Sequence, residues 1–316
     1  MNKPLLAVAC CLSAHVAAAQ HTFHVAPAAQ GDGSSWDSPA DLHIALAQAD
    51  YGDAVWLRHG TYVTSLSGIR DVAFRIPDGV TVLGGFEGGE TSASMRNPAR
   101  HRSILSGEIG EPVRHDNAYT VLELVGAGRE TRVDGVTVQG AYANGAGPTA
   151  DTKRAGGGVL IRLDRPGTDT APLFSDCTFA DNYARDGGAV YIDARGGRAS
   201  PQFVGCEFLG NEADLDGGAV YADARRRGEI KVSYLDCTFD GNVANYGGAL
   251  FHQATKGTCA PRLTGCTFRQ NRAYVRGANL YDIEHQGSSR IALVACVFEE
   301  EEPGQRTEDG VARGGD

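Results

Sequence analysis

Residues 177–194 read CTFADNYARDGGAVYIDA, and three closely similar sequences follow. CEFLGNEADLDGGAVYADA occupies 206–224, CTFDGNVANYGGALFHQA occupies 237–254, and CTFRQNRAYVRGANLYDIE occupies 266–284. A Cys, an Asn, a Gly and an aromatic residue recur at nearly equivalent positions in every copy. A repeat of fixed length in this range is typical of proteins whose structural units stack on one another.

The spacing of the recurring residues gives the period. The cysteines are Cys177, Cys206, Cys237, Cys266 and Cys296, at intervals of 29, 31, 29 and 30 residues. The asparagines are Asn182, Asn211, Asn242 and Asn271, and the glycines are Gly158, Gly188, Gly218, Gly248 and Gly277. Each copy holds two short runs, such as CTF and AVYI, that are rich in β-branched and aromatic residues and bounded by turn residues, which indicates strands. No run has a sustained helical period, which excludes helical solenoids.

Short strands that recur at one period predict an all-β fold, a right-handed parallel β-helix of around eight coils over residues 20–298. Equivalent residues of successive coils then lie about 4.8 Å apart. The Cys and Phe of each copy should form ladders inside the coils, because buried Cys behaves as a small hydrophobe. The Asn column should lie at a turn, with side-chain amides bonded along the stack.

The segments outside the repeat predict how the coils begin and end. Residues 1–19 have the pattern of a signal peptide. Residues 38–50 read as a capping helix, with Ser38 as the cap and Pro39 at its first position. Residues 144–155 interrupt the period and should form a protruding loop. Residues 299–316 read as a disordered acidic tail.

Composition restricts the partners. The formal net charge is -10, and the acidic residues are dispersed. A nucleic-acid surface needs clustered Lys and Arg, so nucleic acid is not an expected partner. The signal peptide predicts a protein that is secreted, exposed on the cell surface or periplasmic, without a transmembrane segment after cleavage. We also expect the protein to be a monomer.

The repeat resembles the right-handed parallel β-helix repeats of bacterial surface and secreted proteins. Phe179–Asn182 (F-x-x-N) and Gly187–Val190 (G-G-A-[ILV]) look like the paired repeats of chlamydial polymorphic outer-membrane proteins. The stretch from Asp32 to Val63 is similar to the entry region of exported β-helix proteins, including pectate-lyase-like ones. This resemblance implies the fold over about residues 22–298. For function it is weak, because one fold hosts adhesins, lyases and hydrolases.

Two columns carry carboxylates. Asp193 and Asp223 lie 30 residues apart at the same place in YIDA and YADA, and Asp186 and Asp216 lie 30 apart just before Gly-Gly. Carboxylates in adjacent coils are close enough to have coupled pKa values or to share a hard cation. Asp186 and Asp216 are therefore a possible Ca²⁺ site, and Asp193 and Asp223 possible binding residues. The alternative is ordinary turn chemistry for both pairs.

An aromatic column accompanies them. Its members are Tyr191, Tyr221, Phe251 and Tyr281, each preceded by Val or Leu. Adjacent residues of a strand point in opposite directions, so the aliphatic column should face inward and the aromatic one outward. We expect the rings to be exposed and to bind sugars or a protein partner by stacking. The alternative is that the rings stack on each other under a loop.

Two functions remain. The first is an exported, adhesin-like β-helix that binds polysaccharides or surface proteins without catalysis. The second is a polysaccharide lyase or glycoside hydrolase in which Asp186/Asp216 or Asp193/Asp223 do the work. The sequence assigns no catalytic residue, and the near absence of long loops to form a cleft favours the binding function.

Overall fold

The alternation of short strands with turns produces a right-handed parallel β-helix, as the repeat predicts. A computed structural model describes residues 20–299 and the backbone of residues 311–314. Every strand pair in the five sheets is parallel, and each coil contributes one strand to each of several sheets. The longest sheet has nine strands, one more than the number of coils expected from the period.

The sheets are labelled in the order in which a regular coil visits them. Sheet A contains Thr22–Val25, Ala54–Arg58, Thr81–Phe86, Arg132–Asp134, Leu173–Ser175, Gln202–Val204, Ser233–Leu235, Arg262–Thr264 and Ala292–Val294. Sheet B contains Gly60–Val63, Ser103–Ser106, Val136–Gln139, Thr178–Ala180, Glu207–Leu209, Thr238–Asp240, Thr267–Arg269 and Val297–Phe298. Sheet C contains Tyr142–Ala143, Tyr183–Asp186, Glu212–Asp216, Val243–Tyr246 and Arg272–Arg276.

The remaining two sheets complete each coil. Sheet D contains Phe74–Ile76, Leu122–Val125, Val159–Arg162, Val190–Asp193, Val220–Asp223, Leu250–Gln253, Leu280–Ile283 and Val311–Gly314. Sheet E contains Asp169–Thr170, Arg198–Ala199, Glu229–Ile230, Thr258–Cys259 and Ser288–Ser289. Two short 3-10 helices, Ala93–Met95 and Arg114–Asp116, interrupt the early coils.

The interior consists of ladders of identical residues. The Phe179 ring stacks on Phe208 at 4.9 Å between centroids, and the same stacking continues through Phe239 and Phe268 to Phe298. Four cysteines of the column are buried beside these rings, namely Cys177, Cys206, Cys237 and Cys266, whereas Cys296 in the last coil is only partly buried. All six described cysteines are free thiols. The interior position predicted for the Cys and Phe columns is therefore confirmed for these residues.

The Asn column forms the predicted amide ladder. The side-chain NH₂ of Asn182 donates to Oδ1 of Asn211 at 3.1 Å, and the same bond links Asn211 to Asn242 and Asn242 to Asn271. The left-handed backbone belongs to the residue before each Asn, for example Asp181 at φ 53°. The ladder thus satisfies buried polar groups in the coils from Asn182 to Asn271.

The glycine column lies one residue away from its predicted register at both ends. Val159 pairs with Val190 and Leu250 with Leu280, so Gly188 is level with Gly157, and Gly248 with Ala278. The residues at positive φ form the continuous column, and they are Gly156, Gly187, Gly217, Gly247 and Gly277. A Cβ on Gly187 would lie 2.4 Å from the carbonyl oxygen of Val190. Only glycine fits there.

The two ends also differ from expectation. The capping helix is Leu42–Gln48, and its cap is Asp41, whose carboxylate accepts from the backbone N–H groups of His43 and Ile44. Ser38, which forms an isolated bridge with Ser35, and Pro39 lie before the helix. At the other end, Val311–Gly314 pair with Leu280–Ile283, so disorder of the whole 299–316 tail is wrong for these four residues. The signal segment 1–19 and residues 300–310 lie outside the described residues. No helix within the described part is long and apolar enough to span a membrane.

Candidate functional site

The outer face of sheet D carries the aromatic column in the predicted register. Tyr191 pairs with Tyr221, Tyr221 with Phe251, and Phe251 with Tyr281. The rings of Tyr191 and Tyr221 are 4.9 Å apart and 5° from parallel, and the next two centroid distances are 4.8 and 5.7 Å. Exposure of these rings was expected, and that expectation is wrong. Tyr221 is only 4% exposed and Tyr191 is fully buried.

The direction of the rings was correct, but their surroundings were not foreseen. Val190 and Val220 belong to the main core, and the aromatic rings form a second cluster on the other side of the sheet. Segment 144–155 folds back over that side instead of protruding, and buries Ala150 and Ala155 against Leu160 and the rings. The loop covers the Tyr191 end of the column, and Tyr246 packs against Tyr281 at the other end, with ring centroids 5.0 Å apart.

Asp193 and Asp223 do not offer free carboxylates. Arg195 donates from Nε and Nη2 to the two oxygens of Asp193 at 2.8 and 2.7 Å. Arg225 holds Asp223 in the same bidentate way at 2.9 and 2.6 Å. Tyr191 also donates its hydroxyl to Asp223 at 2.7 Å, and Asp223 is completely buried. Bidentate Arg–carboxylate bonds satisfy and neutralise both acids.

The pairing of these two arginines with Asp193 and Asp223 is the feature that sequence reasoning missed. Each follows its Asp by two residues, in Asp193-Ala194-Arg195 and in Asp223-Ala224-Arg225. The repetition of the Asp-Ala-Arg triplet was the available signal. Arg195 also donates to the carbonyl oxygen of Thr149 at 3.2 Å, and this bond ties the covering loop to the sheet. The direct contacts of Asp193 and Asp223 thus stabilise the coil and the loop.

Asp186 and Asp216 are brought together in neighbouring coils, as their spacing predicts. Asp186 is 7% exposed and lies 3.2 Å from Nη2 of Arg154, whereas Asp216 is half-buried. Burial raises the pKa of Asp186 above its ordinary value, against the opposing charge of Arg154. Burial and the neighbouring Asp186 charge raise the pKa of Asp216 to about 7. One acid of this pair is therefore poised to exchange a proton near neutral pH.

The Asp186/Asp216 pair does not fit the calcium ion suggested by its spacing. Ca²⁺ takes six to eight oxygen ligands, and the pair supplies two carboxylates, one of which already contacts a guanidinium. Among the described residues, no group of three or more His, Cys, Asp or Glu side chains converges in a way that could hold a metal ion. A proton or an arginine therefore neutralises these acids more readily than a metal ion.

A cleft opens beside the covered aromatic column. It has a volume of about 490 Å³ and lies between loop residues 148–152, turn residues 163–166 and the outer face of sheet D. The side chains that give it charge are Arg75, Glu123, Asp151, Arg162, Asp164, Arg165, Asp193, Arg195 and Arg226. The cleft is thus polar and rich in guanidinium groups.

The acids of the cleft have partners of their own. Glu123 is 2% exposed and lies between Arg75, at 2.8 Å, and Arg162, at 2.6 Å. Asp164 contacts Arg165 at 3.2 Å, and Asp151 accepts from a backbone N–H. Arg226 is exposed and forms no ion pair with any described residue. Among the described residues that line the cleft, Arg226 is thus an arginine without a carboxylate partner, and Arg75 and Arg162 share the single carboxylate of Glu123.

Comparison with known proteins found similarity to a repeat family and to a solved structure. Residues 236–253 match the family model of the Chlamydia polymorphic membrane protein repeat, which falls on the third copy of the sequence repeat. The resemblance read from the repeats is confirmed on this copy. The crystal structure of pectate lyase Pel9A is similar to 88% of this chain and 78% of its own chain, with a TM-score of 0.40 and 12% identity. The comparison with curated proteins gave no match.

Proposed function

We propose that this protein is an exported or surface-exposed β-helix that binds acidic glycans without cleaving them. The observation that carries the proposal is the cleft of about 490 Å³, in which Arg226 has no carboxylate partner among the described residues. Pockets of this volume hold small ligands, and a guanidinium recognises a carboxylate or sulfate through parallel N–H bonds. The polymorphic membrane protein repeat at 236–253 supports the surface or exported setting.

The arginine-bound carboxylates of Asp193 and Asp223 also support binding over catalysis. A catalytic carboxylate must reach a substrate atom or its proton, and Asp193 and Asp223 are engaged by Arg195 and Arg225 on both oxygens. Freeing them would leave buried charges unpaired, which is costly. The rigid walls of the cleft instead favour a ligand that binds without changing the ion pairs.

The test is calorimetric titration of hexagalacturonate, an acidic oligosaccharide, into the wild type and two variants. Arg226→Ala should weaken binding about tenfold, because it removes one guanidinium–carboxylate contact. Arg227→Ala is the matched control, since Arg227 is also exposed and has the same left-handed backbone but does not line the cleft. Equal affinity of the two variants, or no binding by the wild type, would contradict the proposal.

A glycoside hydrolase is the second candidate, and one observation favours it. Asp216 holds its proton up to about pH 7 and lies next to Asp186, so it could serve as the proton donor to a glycosidic oxygen with Asp186 as the second carboxylate. The same titration samples should then contain new reducing ends, which Asp216→Asn would abolish. Absence of new ends with the wild type excludes this candidate for hexagalacturonate.

A further inference from the structure

The two tryptophans of the chain meet on the outside of the first coils. Trp36 lies in the loop before the capping helix, and Trp56 lies in the sheet A strand Ala54–Arg58. Their ring centroids are 6.5 Å apart, and the ring of His24 contacts both, at 4.7 and 5.5 Å. His24, Trp36 and Trp56 thus form one aromatic surface on the outside of sheet A, whereas the arginine-lined cleft lies on the outer face of sheet D.

This surface is not part of the core. Val55 and Leu57, on either side of Trp56 in the strand, are fully buried inside the coil, so Trp56 points outward. Phe86 stacks on Trp56 at 4.7 Å and 10° and is itself fully buried, so it supports one face of the indole. Trp36 and Trp56 nevertheless remain partly exposed. The two partly exposed indoles lie side by side, and adjoining apolar groups of this kind on a surface mark interaction sites.

The indoles are held in place without a ligand. Trp36 donates its Nε1–H to the carbonyl oxygen of Glu90 at 2.9 Å, which joins the 31–38 loop to the 87–90 turn. A nitrogen of His24 lies 3.3 Å from the carbonyl oxygen of Gly33 in the same loop. Because these contacts fix the rings beforehand, a ligand that stacks on them loses little affinity to ordering the protein.

The loops around the rings carry a net negative charge, although Arg58, two residues after Trp56 in the same strand, packs against Gly88 of the 87–90 turn. Asp32 and Asp37 are exposed in the loop that carries Trp36, and Glu87 follows Phe86 directly and is exposed. Hydrogen bonds from Ser34, through its backbone and its hydroxyl, and from the Ser38 hydroxyl lower the pKa of Asp32 to about 2. Ionised carboxylates repel uronates and sulfates but accept hydrogen bonds from sugar hydroxyls. The charge therefore selects against acidic glycans.

We propose that Trp36 and Trp56 form a second saccharide-binding surface, on which uncharged β-linked pyranose rings stack while the bordering carboxylates accept their hydroxyl groups. Rings of this kind carry their hydroxyls around the edge and present apolar C–H faces that match an indole. The surface is independent of the arginine-lined cleft, and it selects the opposite class of glycan.

The position of both tryptophans makes the test direct. With selective excitation of tryptophan, the emission of the whole protein reports this surface alone, because the sequence contains two tryptophans and both are here. Titration with cellohexaose, a neutral oligosaccharide, should change the emission saturably, and hexagalacturonate should not. Arg226→Ala should leave the cellohexaose response unchanged, which separates this surface from the cleft.

Variants test the assignment by calorimetry with cellohexaose. Trp36→Ala should weaken binding about tenfold, the effect of losing one aromatic stacking contact. Trp56→Phe, which keeps a ring against Phe86, guards against misfolding and should weaken binding by a smaller factor. Tyr274→Ala is the matched control, because Tyr274 is 64% exposed in the last sheet C strand, and it should bind like the wild type. No saturable response to cellohexaose, or full affinity in Trp36→Ala, would overturn the proposal.

Discussion

Asp186 and Asp216 precede the Gly-Gly turn of two neighbouring coils, and Asp193 and Asp223 end the strands that follow the same turns. Both pairs have a spacing of 30 residues, and both bracket the aromatic column. Asp193 and Asp223 have an arginine two residues later that neutralises them. Asp186 and Asp216 have no such arginine in the repeat, and only Asp186 gains one, from the loop. Equal spacing thus produces a stabilising network at one position and a proton-binding pair at the other.

The largest expected effect on stability is at Asp223, one of the two carboxylates that an arginine binds. Asp223→Asn removes the charge that holds Arg225 at 2.6 Å, Arg195 at 3.5 Å and the Tyr191 hydroxyl, all around a fully buried position. Breaking a buried ion pair from one side costs about 3–5 kcal/mol. We expect a loss of this size in the free energy of unfolding, measured by urea denaturation. A loss under about 1 kcal/mol would mean that the network contributes no more than a surface ion pair.

A smaller effect is expected from the hydroxyl that joins the aromatic column to this network. Tyr191→Phe keeps the stacked ring and removes the 2.7 Å bond to Asp223. A hydrogen bond to a charged group contributes about 1.5–3 kcal/mol, so the free energy of unfolding should fall by about that amount. The double variant with Asp223→Asn should be less than additive, because both changes remove the same contact. Strict additivity would place the hydroxyl outside the network.

The aromatic column separates what could be predicted from the sequence from what could not. The register of Tyr191, Tyr221, Phe251 and Tyr281 was predictable, because each coil must align its strand with the one before it. The burial of the rings was not, because it depends in part on segment 144–155, which has no counterpart in the other copies and so leaves no periodic signal. The position of a residue in the stack follows from the period, but its exposure depends on what packs over it.

In the candidate sites, too, some contacts follow from the repeat period and others depend on irregular segments. The contact of Asp186 with Asp216 followed from the period, whereas Arg154, which contacts Asp186, comes from the irregular loop. The arginine-lined cleft joins Arg75, Arg162 and Arg226 from separate coils. Trp36 and Trp56 meet only because the N-terminal loop folds onto sheet A. Contacts of this kind depend on tertiary packing, and no spacing in the sequence records them.

The proton-binding pair should show its character in the pH dependence of stability. The ordinary pKa of Asp216 is 3.8, and in the folded state it is raised to about 7. Because the folded state binds this proton more tightly, the associated stability is fully present below about pH 3.8 and is lost as the pH rises through 7. Asp216→Asn, which resembles the protonated acid, should therefore be more stable than the wild type above pH 7. We expect a gain of about 1–2 kcal/mol, less than the full shift implies because the side chain is partly exposed.

The control for this pH effect is Asp181→Asn, at an exposed turn position with left-handed backbone that Asn tolerates. It should change stability little at any pH. The difference between Asp216→Asn and the wild type should also shrink towards pH 4, where the wild-type acid is protonated in the folded state. A difference that stays constant with pH would show that the substitution acts through packing and that Asp216 titrates normally.

The smallest expected effect concerns calcium at Asp186 and Asp216. Arg154 already contacts Asp186, and burial favours the neutral form of both acids, so a divalent cation would have to displace a guanidinium and a proton for two carboxylate ligands. We therefore expect the melting temperature at neutral pH to be the same with and without a calcium chelator. Asp216→Asn is the matched variant, because it removes one of the two ligands. A wild type that melts lower in chelator, beside an Asp216→Asn protein that does not respond, would show that the pair binds calcium. The comparison between the two carboxylate pairs would then become one between an arginine-neutralised pair and a metal-neutralised pair.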